Sequence, residues 1–126
     1  GLHYASYAYA DLTYAPKGDG LEISYVVRDT SGRDGKEVSQ VYVRERAPLV
    51  YRPKKELKAF AKTFVCAGKS KTVTHFLDKS AFAHWSVSQN EWEVTDGIYE
   101  ILVGASSADI RLRAKIRIRG GEIQII

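Results

Sequence analysis

From Ile110 to Arg119 apolar and basic residues alternate without a break. Ile110, Leu112, Ala114, Ile116 and Ile118 share one parity, and Arg111, Arg113, Lys115, Arg117 and Arg119 share the other. Neighbouring side chains of a strand point to opposite faces, so this segment is constrained to a β-strand with an apolar and a basic face. The same period, rich in Val, Ile, Tyr and Thr, recurs in short segments separated by Gly, Asp and Ser, which is the pattern of an antiparallel β-sandwich. No segment has the spacing of an amphipathic helix.

The alternation predicts strands at Tyr7 to Tyr14, Leu21 to Arg28, Glu37 to Arg44 and Ser70 to Leu77, and Leu57 to Val65 reads as a strand in preference to a short helix. Pro16 to Gly20 and Asp29 to Gly35 carry the turn formers between the first three. Val41 and Val43 fall on one face with Gln40 and Tyr42 on the other. Val73, His75 and Leu77 share a face, which makes His75 a core histidine with a satisfied hydrogen bond and leaves Phe76 exposed. Ala47 to Lys55 carries Pro48 and Pro53, which disfavour central pairing, and is expected to loop across between the sheets. Asp78 to Ala83 reads as one helical turn capped by the Asp78 carboxylate. Glu91 to Val94 and Ile98 to Val103 form a hairpin or two strands around Asp96-Gly97, with Trp92 pointing inward. Gly120-Gly121 is a tight turn before Glu122 to Ile126.

At 126 residues, with 44% hydrophobic and 27% charged residues, the chain is sized for one globular domain. No apolar run approaches the roughly 20 residues of a membrane-spanning helix. The chain starts at Gly1 without a leader pattern and holds no Met, as an excised or processed piece would, so its compartment stays open. One cysteine, Cys66, excludes an internal disulfide and a cysteine-rich zinc site, and its neighbours Val65 and Ala67 suggest a buried, inert thiol. Nineteen basic against fifteen acidic residues is a mixed charge, not a polybasic one.

Candidate catalytic motifs fail one by one. Gly68-Lys69-Ser70 lacks the earlier glycine of a phosphate-binding loop, since Thr63 stands there. Gly104 to Ala108 lacks the second glycine of a nucleophile elbow, so Ser106, Ser107 and Asp109 are expected to bind turn backbone. Glu91 and Glu93 on one strand face would stand about 7 Å apart, near the inverting-glycosidase range, but a solvated face is the better reading. His3, His75 and His84 have no metal-ligand spacing. No catalytic residue, metal or cofactor is therefore assigned. The basic face of Arg111, Arg113, Lys115, Arg117 and Arg119 is a solvated or edge-protecting face before it is a polyanion site, because no aromatics are interleaved for base stacking. Most of Tyr4, Tyr7, Tyr9, Tyr14, Trp85 and Trp92 are expected in the core, with Tyr51 the exception.

Several segments in order resemble one known family: Gly1 to Tyr4, Gly35 to Val43, Arg52-Pro-Lys-Lys-Glu-Leu-Lys-Ala-Phe60, Gly68 to Thr74, Trp85, Trp92, Gly97 to Tyr99, and Val103-Gly-Ala-Ser-Ser-Ala-Asp-Ile-Arg-Leu112. Together they resemble the C-terminal fibronectin type III-like domain of glycoside hydrolase family 3 enzymes, the β-glucosidase and β-xylosidase class. The resemblance covers residues 1 to about 112 and implies an all-β, immunoglobulin-like antiparallel sandwich of about seven strands. It treats 1–126 as one domain, with 113–126 an extension of the last strand plus a tail. It further implies a non-catalytic accessory domain that packs on and stabilises catalytic domains lying upstream in the same chain. Leu49, Tyr51 and Arg52 would then serve domain packing first and sugar contact second. The family commonly has Gly at Ala59, Pro at Ala67, and an aromatic at His75. Alternatives of a different class are a freestanding carbohydrate-binding module and a polyanion binder.

Overall fold

The computed structural model describes residues 6–46 and 55–126. Ten strands occur among the described residues: β1 Tyr7–Lys17, β2 Gly20–Asp29, β3 Gly35–Arg46, β4 Glu56–Val65, β5 Ser70–Leu77, β6 His84–Ser86, β7 Glu91–Glu93, β8 Gly97–Ser106, β9 Asp109–Arg119 and β10 Glu122–Ile125. They make a three-stranded sheet in the order β1-β2-β5, a five-stranded sheet in the order β10-β9-β8-β3-β4, and a small β6-β7 ribbon. All pairings are antiparallel. The count exceeds the expected seven by the ribbon's two short strands and by β10.

Alternation builds the core. Leu21, Ile23, Tyr25 and Val27 of β2 are fully buried, and they face Val41 and Val43 of β3, Tyr99, Ile101 and Val103 of β8, and Ile116 and Ile118 of β9. Each such aliphatic side chain taken out of water contributes roughly 1.5–3 kcal/mol. β10 adds Ile123 to the edge of this core and is reached through Gly120 and Gly121, both at positive φ (58° and 79°) as a two-residue hairpin with the sheet's own twist requires. Pro16 lies in β1, an edge strand, where the missing N–H is tolerated.

Two of the crossings between sheets, 30–34 and 66–69, lie side by side and are tied by Asp29. Its Oδ1 accepts from Ser31 N (3.0 Å) and Ser31 Oγ (2.6 Å), and its Oδ2 accepts from Gly32 N (2.9 Å) and Gly68 N (2.8 Å). These donors hold the Asp29 carboxyl far below the usual carboxylate range, the Gly68 amide most of all. Asp34 accepts from Ala67 N at 2.8 Å.

Three expectations are corrected and one is narrowed. The strands flanking residues 47–54 pair with each other, so the chain does not change sheets there; the change comes after β4. Cys66 is exposed, because Val65 takes the inward parity and Cys66 opens the turn whose Lys69 N donates to its carbonyl. Of the two readings around Asp96-Gly97, separate strands hold and the hairpin does not: β7 pairs with β6, and β8 pairs with β3 and β9. Trp92 points outward and is 68% exposed. The ribbon turns its other face to the sandwich, where His84 Nε2 stands 3.3 Å from Glu93 and His84 Nδ1 stands 4.0 Å from Glu45 of β3.

Other expectations hold. Lys79–Phe82 is a 3₁₀ turn with Asp78 accepting from Ser80 N at 2.9 Å. His75 faces inward with Nε2 3.1 Å from the Tyr25 hydroxyl, while Phe76 is 52% exposed.

Candidate functional site

The five-stranded sheet has an outer face that nothing among the described residues covers with a second layer, and its composition changes across the strands. On β4 the small residues Ala59 and Ala61 pack on the core, while Phe60 and Phe64 point away from it at 66% and 47% exposure. A register shift at Val41/Tyr42, where Val41 pairs with Ala59 and Tyr42 with Leu57, adds one residue to β4 and carries Leu57 to the outer face as well. Leu57 is 49% exposed, and Val38 on the neighbouring strand is 40% exposed. Tyr42 and Leu102, cross-strand partners on this face, are buried between these side chains and the basic row. An apolar area therefore spans β3 and β4.

Across β8 and β9 the same face becomes charged. Glu100 accepts both Arg44 contacts (3.1 and 3.2 Å) and lies 3.7 Å from Arg46 Nε. In register, Arg113 stands opposite Leu102, Lys115 opposite Glu100, and Arg117 opposite Ile98. Arg119 stands opposite Glu122 of β10. The basic row is thus solvated and flanked by carboxylates on both sides, but it protects no edge, because β9 is an interior strand paired with β10 and β8.

Arg111 is set apart from this row. Val103 pairs with Leu112 and Gly104 with Ile110, which leaves Arg111 as a bulged residue. Its guanidinium reaches β1 in the other sheet, donating to the Tyr7 carbonyl and standing 5.1 Å over the Tyr9 ring. Asp109 holds it from the side, with Nε and Nη2 donating at 3.1 and 3.0 Å. Tyr9 donates to Glu37 at 2.9 Å, and burial together with that bond pushes its hydroxyl well above the usual tyrosine range, so it remains a donor. This cluster joins the two sheets. Of the expected turn bonds, Ser106 Oγ accepts from Ala108 N, and Asp109 serves Arg111 instead.

A cavity of about 270 Å³ lies under the 3₁₀ turn, lined by Glu45, Glu56, Lys58, Phe82, His84 and Tyr99 among others. Its carboxylates are engaged: Lys58 donates to Glu56 at 3.2 Å within the lining, and Thr95 from outside it donates to Glu45 at 2.8 Å. No group of three metal-ligating side chains occurs among the described residues. Trp85 and Trp92 meet edge-to-face at an interplanar angle of 78°, which gives no flat platform for a sugar ring. Leu49, Tyr51 and Arg52 lie outside the described residues. The sequence reading missed Val38, Leu57, Phe60 and Phe64; the available signal was the parity of β4, where Phe60 and Phe64 oppose Val65.

A fibronectin type III-like domain model matches residues 37–107. The chain is 38% identical over 122 residues to thermostable beta-glucosidase B of Acetivibrio thermocellus, covering 94% of this chain and 16% of that protein. It is 42% identical over 121 residues to an exo-alpha-(1->6)-L-arabinopyranosidase of Bifidobacterium breve, again spanning 16% of it. Among solved structures, the GH3 beta-glucosidase of Bifidobacterium adolescentis superposes with a TM-score of 0.85 at 41% identity, over 94% of this chain and 18% of that one. Beta-glucosidase 3B of Thermotoga neapolitana, in complex with alpha-D-glucose, gives 0.84 at 38% identity, over 98% and 17%.

Proposed function

The chain belongs to the fibronectin type III-like domain family, and from that premise we propose that it is the C-terminal accessory domain of a family 3 β-glucosidase-type glycoside hydrolase. In this reading it packs on the catalytic domains of the same polypeptide and stabilises them, and it supplies no catalytic residue. One observation carries the proposal: nearly the whole chain aligns with only 16% of each of two glycosidases. The exposed apolar area on β3 and β4 supports a packing role, since contiguous patches of that kind mark interaction surfaces. Residues 1–126 act as one domain, in which the stretch after 112 completes β9 and the tail returns as β10. Leu49, Tyr51 and Arg52 belong to the packing segment first and to sugar contact second. The substrate of the parent enzyme follows from its catalytic domains.

The test is to express the polypeptide encoded by the source gene with and without residues 1–126. Loss of the segment is expected to lower the melting temperature of the remaining protein and its hydrolysis of an aryl β-glucoside. An unchanged melting temperature and rate would overturn the accessory role, as would a gene that encodes no glycosidase portion.

A further inference from the structure

Resting on the accessory-domain reading, we propose that the outer face of the five-stranded sheet is the docking surface, and that the catalytic portion of the same polypeptide is its occupant. Phe60, Phe64, Leu57 and Val38 form its apolar centre, and Arg113 and Lys115 its basic margin. The portion that meets it presents an apolar patch bordered by Asp or Glu.

Three observations converge on this face. First, the large side chains of β4 point away from the core while its small ones point in, so the strand's apolar area is spent outside the sandwich. Taking ~200 Å² for a fully exposed aromatic side chain, the four residues leave on the order of 400 Å² open, comparable to the largest patch of a typical monomer. Second, domain interfaces within a chain bury roughly 600–1,500 Å², so a patch of this size can form the centre of one but not the whole. The surrounding Lys36 and Lys62, exposed on the same strands, and the β9 row supply the rest with positive charge. Charge complementarity then selects an acidic border on the occupant. Third, proteins matched over 94–95% of this chain are so long that it spans only 16% of them, which leaves ample covalently attached surface to cover the face.

Hydroxyl-radical footprinting tests the assignment by comparing the full polypeptide encoded by the gene with the isolated 126-residue chain. Phe60, Phe64 and Leu57 are expected to be labelled severalfold less in the full polypeptide, while Phe76 on the other sheet is labelled alike in both. Protection of Phe76 or the Trp85–Trp92 pair with Phe60 and Phe64 unprotected would sink this inference and leave the accessory role standing. If no residue of the domain is protected, both readings fail. Protection that appears already in the isolated chain and grows with its concentration would identify a second copy as the occupant and overturn the proposal.

Discussion

Tyr25, Ser39 and His75 form a polar cluster inside the core. The Tyr25 hydroxyl lies 2.5 Å from Ser39 Oγ and 3.1 Å from His75 Nε2, with Tyr25 and Ser39 fully buried. Tyr25→Phe leaves the Ser39 hydroxyl buried without that partner, so urea denaturation of the 126-residue chain should show a loss of about 1–3 kcal/mol. Two residues contribute to the acid response in separate windows. Burial lowers the His75 pKa from the ordinary 6.5, so below about that pH the unfolded chain binds a proton that the folded chain resists. That stability is complete above 6.5 and lost as pH falls through the folded value. His75→Phe should flatten the melting temperature between about pH 7 and 5, where His75 would otherwise titrate on unfolding. Asp29 works lower down: its folded pKa is depressed from the ordinary 3.8, so its contribution is present above 3.8 and disappears as acid protonates it. Asp29→Asn should lower the melting temperature at neutral pH and remove part of the further decline below pH 4. The inward histidine was legible from the parity of Val73 and Leu77. The role of Asp29 was not, because its donors come from Ser31, Gly32 and the distant Gly68.

The β8–β9 hairpin shows what a period can and cannot specify. Alternation over Ile110 to Arg119 identifies the strand and the inward row, buried from Ala114 to Ile118 with Leu112 partly buried at its edge. It does not reveal the bulge that takes Arg111 out of the basic face, because that depends on a backbone approach between two segments. A Cβ on Gly104 would lie 2.1 Å from the Asp109 carbonyl oxygen and 2.9 Å from Ile110 Cα. Gly104→Ala must therefore push the hairpin apart, with an expected loss of about 3 kcal/mol in equilibrium unfolding, at the upper end for overpacking. A loss under about 0.5 kcal/mol, the usual scale of a neutral surface change, would show that the hairpin yields freely. The ribbon failed to be read for a different reason. Trp92 was assigned inward on hydrophobicity alone, but a two-stranded ribbon has no core of its own, and its polar face found Glu45 first. β4 misleads in the same way, since alternation separates two faces without saying which one the second sheet covers.

At the scale of the molecule, a sandwich of this kind needs to bury only the two facing surfaces, yet β3 and β4 carry apolar side chains on both. Residues that serve the fold and residues that serve a neighbour can be separated by changing the context in which they are measured. Phe60 and Phe64 pack against no opposing layer among the described residues, so the paired substitution Phe60→Asp and Phe64→Asp should shift the stability of the isolated 126-residue chain by no more than about 0.5 kcal/mol per site. In the full polypeptide the same pair would place two carboxylates against an apolar, acid-bordered surface. Covering two half-exposed phenylalanines contributes roughly 1.5–3 kcal/mol, and the variant forfeits that gain before any repulsion is counted. The expected result is a drop in the melting transition of the full polypeptide clearly larger than the shift of a few degrees allowed for the isolated chain. Differential scanning calorimetry of both forms reads it directly. Equal losses in the two contexts would mean that the phenylalanines support the sandwich itself, and the outer face would then have no claim as the contact between domains.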